Sequence, residues 1–267
     1  MAKIHPTAVV DPKAKIDDSV IIGPQCVVGP DVTIGPECNL IALCYIDGHT
    51  TIGARNMIYP GASIGAPPQD ISFDLNKVSY VEIGDDNVLR ENISIHRGSK
   101  EFSVTRVGNG CYIMANTHVA HDCQLGNNII MVNFAGLAGY VTLGDGCFLS
   151  GNAVIHQFCT AGRFSMLSGV SAISKDLPPF MIADGRNGAV RAVNIIAMRR
   201  NGFSNEAIRA IKDVYNIFYR SELNVKNAIE KIKTEVKQLP EVIEFIDFVE
   251  NSKRGVLTSG VAKGRRD

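Results

Sequence analysis

An aliphatic side chain returns at every sixth position through most of this chain. The series runs Val10, Ile16, Ile22, Val28, Ile34, Leu40, Ile46, Ile52, Ile58 and Ile64. It resumes at Ile83, Leu89 and Ile95, and again from Val107 to Ile173, where only Ala161 lacks a large aliphatic group in phase. A helix repeats at about 3.6 residues and a strand at about 2, so neither produces a strict six. A hexapeptide repeat does, and it predicts a parallel β-helix. Each hexad then supplies one short strand with an inward aliphatic and one corner. Gly often follows the aliphatic, as in Ile22-Gly23, Ile52-Gly53 and Leu143-Gly144, where the chain must turn.

In this repeat the chain resembles the hexapeptide-repeat proteins. The resemblance implies that three hexads close one triangular coil and that the coil is left-handed, against the usual right-handed crossover. Coils stack at roughly 4.8 Å, so residues 18 apart in an unbroken run lie above one another. Two stretches break the pattern. Residues 66–80 lose the period, and residues 98–106 put Glu101 where an aliphatic belongs. Both read as loops thrown out from the prism, the usual place for a binding face on a rigid repeat.

The repeat is predicted to end near Lys175, with Pro178-Pro179 at its exit, giving a β-helix over 1–190. Residues 191–267 read as an all-α domain. Ser204 is an N-cap candidate, and Ile208, Ile211, Tyr215 and Phe218 share one face. A second helix is predicted from Val225 to Lys237, and a third opens on Pro240 and stops before Gly255. The tail Lys263 to Asp267 is expected to fray.

Net charge is zero but unevenly shared. Residues 1–190 carry 12 Lys/Arg against 17 Asp/Glu, and residues 191–267 carry 15 against 10. The basic end suits an acidic partner, although a solvated helix surface explains it equally well. No signal peptide or membrane span is recognisable, which predicts a cytoplasmic protein, and no nucleic-acid partner is expected. All 7 cysteines lie four residues after an in-phase aliphatic, the slot held elsewhere by Ala62, Thr117, Ala135 or Ala153. They read as small packing residues with free thiols, neither a disulfide framework nor a metal cluster. Cys26 and Cys44 should stack closely enough that a disulfide is geometrically possible.

A β-helix needs no histidine, so His96, His118, His121 and His156 call for an explanation. His121 falls two places after the inward Val119, hence on the outer wall, with Asp122 adjacent to orient or charge-stabilise its imidazole. Gly139 should stack one coil above His121 and Gln157 one above that, with His156 in the neighbouring column. A bare glycine beside a basic imidazole lets a carbonyl approach a backbone N–H, as an oxyanion site requires. This suits acyl transfer without a covalent intermediate, and no Gly-x-Ser-x-Gly elbow is present.

Longer motifs carry a more specific resemblance. His5-Pro6-Thr7-Ala8, Gly48-His49-Thr50, Ile95-His96-Arg97-Gly98, Ala120-His121-Asp122-Cys123, His156-Gln157-Phe158 and Arg200-Asn201-Gly202-Phe203-Ser204 are similar to the UDP-N-acetylglucosamine O-acyltransferases that open lipid A biosynthesis. The similarity spans nearly the whole chain. It implies a homotrimer with sites between subunits, no cofactor and no metal. A 3-hydroxyacyl chain would pass from acyl carrier protein to the glucosamine 3-hydroxyl of UDP-N-acetylglucosamine. It also implies His121 as general base, Asp122 as its partner and Gly139 as oxyanion donor. Asp70, His118, His156, Gln157, Asn194 and Arg200 would bind substrate, and Gly169 would set acyl length. Asn194 reads equally as a cap and Arg200 as a solvated helix charge.

Some positions depart from that pattern. Ser72 replaces a Lys, Tyr140 a His, and Asn201 the second base of a pair. These touch substrate detail more than reaction class. Gly169, lacking a side chain, would leave the acyl groove open to a long chain. Other readings remain at this stage: a 3-amino acceptor sugar, the later N-acyltransferase of the same pathway, or a non-catalytic scaffold. A zinc carbonic-anhydrase type of β-helix is a further one, but it tends to space two ligands five apart, whereas His118 and His121 are three apart.

Overall fold

Each hexad folds into a two-residue strand and a corner, as at Val27–Val28 and Thr33–Ile34. The second residue of each strand points inward: Ile22, Leu40, Ile46 and Ile113 are all fully buried. Burying one such side chain contributes about 1.5–3 kcal/mol, so the repeat itself is the core. The computed structural model describes residues 1–186 and 188–259; the tail expected to fray lies outside them. It is a left-handed parallel β-helix with three walls and a helical C-terminal domain.

Wall A has 11 strands and contains Ile21–Ile22, Tyr112–Ile113 and Met166–Leu167. Wall B has 9, among them His118–Val119, Gly136–Leu137, Val154–Ile155 and Ala172–Ile173. Wall C has 8, among them Thr33–Ile34 and Gln124–Leu125. The three differ on their outer faces. Wall C shows Lys15, Thr33, Glu82, Arg106, Gln124 and Thr142, a solvated surface. Wall A shows Met57, Val88, Tyr112, Ile130, Phe148 and Met166, a continuous apolar column.

The seven cysteines are buried with free thiols. Several give their thiol hydrogen to a carbonyl one coil up, as Cys123 does to Ala138 at 3.2 Å and Cys147 to Gly162 at 3.0 Å.

The sequence boundaries shift in places. Ala66 and Tyr80 already belong to strands, and Val104–Val107 is a strand, so both loops are shorter than predicted. Beyond the last hexad an antiparallel hairpin, Met181–Asp184 with Ala189–Val193, extends wall A. The helical domain therefore starts at α1 (Ile195–Arg200), which is too short to show a periodicity in the sequence. It continues with α2 (Asn205–Tyr215), α3 (Val225–Glu235) and α4 (Pro240–Asn251). Ser204 caps α2 through the Ala207 amide at 3.0 Å. A π-helical turn, Asn216–Arg220, prolongs α2. The chain then returns to the prism, where Leu257 donates to the Asp176 carbonyl at 2.9 Å.

Arg163 fastens the two parts together. Its Nε lies 2.6 Å from a Glu244 carboxylate oxygen on α4, and its guanidinium faces the rings of Phe164, Phe180 and Phe203 at 5.6, 5.1 and 5.2 Å.

Candidate active site

His121 stands where wall B turns toward wall C. Its Nδ1 is 2.8 Å from Asp122 Oδ2, and Asp122 occupies the corner with φ 62°. That carboxylate is buried and also accepts from the Ser99 amide at 3.0 Å and the Ser99 hydroxyl at 2.6 Å. Burial pushes its pKa upward, but the hydrogen bonds from His121 and Ser99 outweigh this and hold it well below the usual carboxylate range. An ionised Asp122 can only accept, so Nδ1 of His121 carries the hydrogen. Nε2 then has its lone pair available, the form a general base needs.

Ser99 had no role in the sequence reading. It comes from the shortened second loop, and its hydroxyl also meets the Tyr140 hydroxyl at 2.9 Å. Tyr140 stacks over the Asp122 position and packs its ring edge-on to His121 at 5.3 Å, so it joins the network that holds the base.

Gly139 lies directly above the imidazole. A Cβ on it would stand 2.7 Å from His121 Nε2 and 3.1 Å from Nδ1, so the ring occupies the space a side chain would need. The Gly139 N–H makes no hydrogen bond among the described residues, leaving it free to receive developing negative charge. Gln157, one coil higher, is exposed. His156 is exposed beside it, with Nδ1 3.5 Å from the Arg254 guanidinium.

Two further histidines stand on the same wall, His96 in the neighbouring column and His118 three residues before His121. His96 is buried and its Nδ1 bonds the Pro67 carbonyl at 2.6 Å, pinning the first loop to the prism. Asp70 is on that loop, exposed, and accepts from the Ser72 amide at 2.8 Å and hydroxyl at 2.7 Å. Those bonds lower its pKa. Ser72 thus holds Asp70 in place. His118 bonds the Ser94 hydroxyl at 2.8 Å and stands edge-on to His96 at 5.2 Å. Burial, then repulsion from His96 and His121, lowers its pKa to about 4. Each imidazole is committed through Nδ1 to a different partner, and among the described residues no group of His, Cys, Asp and Glu could hold a metal ion.

From His118 an open groove of about 610 Å³ runs along wall B over Gly136, Val154 and Ala172 to Arg186. Its floor is apolar.

The remaining candidates lie elsewhere on the prism. Asn194 is buried near the corner between walls C and A, where its side chain caps the Ala197 amide at 3.2 Å and donates to the Phe164 carbonyl at 2.9 Å. The cap role is thus filled. Arg200 is exposed in the last turn of α1. Gly169 is exposed at the corner between walls A and B. One chain therefore brings His121, Asp122, Gly139, Gln157, His156, His118 and Asp70 to one region, and leaves Asn194, Arg200 and Gly169 at other corners.

Comparison with known proteins matches both parts of the chain. Residues 105–139 match the bacterial transferase hexapeptide model, and residues 176–257 match domain 2 of UDP-N-acetylglucosamine O-acyltransferase. The acyl-[acyl-carrier-protein]–UDP-N-acetylglucosamine O-acyltransferase of Syntrophobacter fumaroxidans is 45% identical over 96% of this chain and 99% of its own. The chain belongs to the UDP-N-acetylglucosamine O-acyltransferase family. The enzyme of the same name from Janthinobacterium is 44% identical, over 96% of this chain and 100% of its own. Among solved structures, the UDP-N-acetylglucosamine acyltransferase of Francisella novicida superposes with a TM-score of 0.93 at 39% identity, covering 97% of this chain and 95% of that one. The Bacteroides fragilis enzyme gives 0.92 at 42% identity, covering 95% and 99%. This O-acyltransferase family keeps the whole architecture, helical domain included, and nothing in these comparisons favours a 3-amino acceptor or a zinc enzyme.

Proposed function

We propose that this acyltransferase moves a 3-hydroxyacyl chain from acyl carrier protein to the glucosamine 3-hydroxyl of UDP-N-acetylglucosamine, opening lipid A biosynthesis in the cytoplasm. The observation that carries the mechanism is His121, with Nδ1–H held by Asp122 and Nε2 beside the Gly139 amide. Nε2 takes the proton of the sugar 3-hydroxyl as its oxygen attacks the thioester carbonyl. The resulting oxyanion is received by the Gly139 N–H. Collapse breaks the C–S bond, and the departing thiolate recovers the proton from Nε2. Asp122 holds the ring throughout and stabilises its charged form. The apolar groove leading from His118 receives the acyl chain, Asp70 and Gln157 hold the sugar, and His156 lines the cleft.

The separation of His121 from Asn194 and Arg200 supports a site shared between copies. A homotrimer laying the apolar outer face of wall A of one copy beside wall B of the next would cover that surface. It would also bring Arg200 of a neighbour toward the diphosphate, as a charge-assisted donor. Mixing two inactive proteins tests this. His121→Ala and Arg200→Ala trimers, dissociated and reassembled together, should regain activity in about a quarter of their sites, since each site draws on two copies. If the two residues act within one chain, no activity returns.

A further inference from the structure

We propose that Ser99 and Tyr140 are positioning residues for the reaction, a directed chain of hydrogen bonds from Tyr140 through Ser99 to Asp122 that fixes the orientation of His121. This rests on the reading of His121 as the general base. The direction of each bond follows from the end of the chain. Ionised Asp122 can only accept, so the Ser99 hydroxyl gives it its one hydrogen, at 2.6 Å. The Ser99 oxygen then accepts from the Tyr140 phenol, 2.9 Å away. Among the described residues Tyr140 makes no hydrogen bond to the carboxylate itself, so it reaches Asp122 only through Ser99.

Three donors meet on one oxygen. His121 Nδ1, the Ser99 amide and the Ser99 hydroxyl all point to Asp122 Oδ2, at 2.8, 3.0 and 2.6 Å. Turning the carboxylate loosens all three together. Asp122 grips the imidazole through that same oxygen, so whatever holds Oδ2 sets where Nε2 points.

Both ends of the chain are rigid. The turn that carries Ser99 is stitched to the segment before wall C. The Gly98 amide donates to the Tyr80 carbonyl at 3.3 Å, the Phe102 amide to the Val78 carbonyl at 2.7 Å, and the Tyr80 amide to the Ser103 carbonyl at 2.9 Å. Gly98 permits this close approach, since a Cβ there would collide with the Ser103 backbone. At the other end, the Tyr140 amide donates to the His121 carbonyl at 3.0 Å and its ring stacks on Phe158 at 4.9 Å. The Lys100 ammonium lies 5.5 Å from the centre of the same ring. The Asp122 amide is taken in turn by Thr105 Oγ1 at 2.7 Å, on a residue that is fully buried. Ser99 and Thr105 thus hold the side chain and the backbone of Asp122 from one stretch of chain. The loop that breaks the repeat serves the base.

A hydrogen bond to a charged group contributes about tenfold or more, and one between neutral groups about threefold. The test is a double-mutant cycle in kcat, assayed with UDP-N-acetylglucosamine and a 3-hydroxyacyl carrier protein. Ser99→Ala should lower kcat about tenfold and leave KM for the sugar nucleotide little changed. Tyr140→Phe keeps the stacked ring and should lower kcat about threefold. Because Tyr140 acts through Ser99, the double variant should be no slower than Ser99→Ala alone. Ser99→Thr, which restores the hydroxyl, should recover most of the rate. Full additivity in the double variant overturns the proposal, since the phenol would then act by another route. So does a Ser99→Ala enzyme that changes only KM, or a Ser99→Thr enzyme as slow as Ser99→Ala, which would make the loss one of packing. His121→Ala separates the two readings. If it is inactive while Ser99→Ala keeps the wild-type kcat, only the positioning chain fails. If it keeps its activity, the general-base reading fails.

Discussion

The imidazole of His121 lies against Gly139, in the volume where any other residue would place its Cβ. The two are neighbours because the hexad run between them is unbroken, and 18 residues is one turn of the prism. A base and an oxyanion donor are thereby fixed by backbone stacking rather than by a flexible loop.

Gly139→Ala follows from that contact. Its methyl would stand 2.7 Å from Nε2, so the ring must move by some tenths of an ångström or more. Misplacing a reacting group by about 1 Å costs on the order of 100-fold in rate. Steady-state kinetics should show kcat down by about 10- to 100-fold and KM for the sugar nucleotide little changed. Thermal melting should stay near wild type, since the strain falls on one side chain at the edge of the prism, 20% exposed, and not on the core.

Arg163 and Glu244 should respond unequally to removal. Burial raises the pKa of Glu244, and its pairing with Arg163 offsets this only in part. Arg163→Ala strands that carboxylate and removes the cation from three aromatic rings, costing about 2 kcal/mol. Glu244→Gln leaves the guanidinium on the rings and should cost about 1 kcal/mol or less. Urea melts of the two variants decide the order.

His118 makes stability depend on pH. Its folded pKa is about 4 against an ordinary 6.5. Between those values the unfolded chain binds a proton that the folded chain does not, so stability falls as pH drops from about 6.5 to about 4. His96, lowered chiefly by burial, acts in the same direction. His118→Asn removes one of the two titrations and should lose less Tm than wild type between pH 6.5 and 4.5. Equal losses would show that His118 titrates alike in both states.

The repeat was legible because one residue in six repeats an identical steric demand, and each match in the column of His121, Gly139 and Gln157 is a multiple of that period. Ser99 was not. It reaches Asp122 across 23 residues, through a loop where the period gives no register. The hairpin at Met181–Asp184 and Ala189–Val193 was missed for a related reason, since antiparallel strands carry no hexad. The apolar outer face of wall A was present in the sequence but spread thin. It is written at every third hexad, in the residue before the inward aliphatic, as in Tyr112, Ile130, Phe148 and Met166. A cap at Asn194 was one of the readings left open by the sequence, and its side chain does accept from the Ala197 amide. Its location at a different corner from His121 was not legible, because that depends on how α1 leaves the prism.

The general base is the claim on which the mechanism turns, and a single variant tests it. His121→Ala removes the imidazole but leaves Asp122 bonded to Ser99 and the coil hydrogen bonds in place. Assayed with UDP-N-acetylglucosamine and a 3-hydroxyacyl carrier protein, it should lose at least roughly 100-fold in kcat at an unchanged melting temperature. A kcat within a few-fold of wild type would contradict the account.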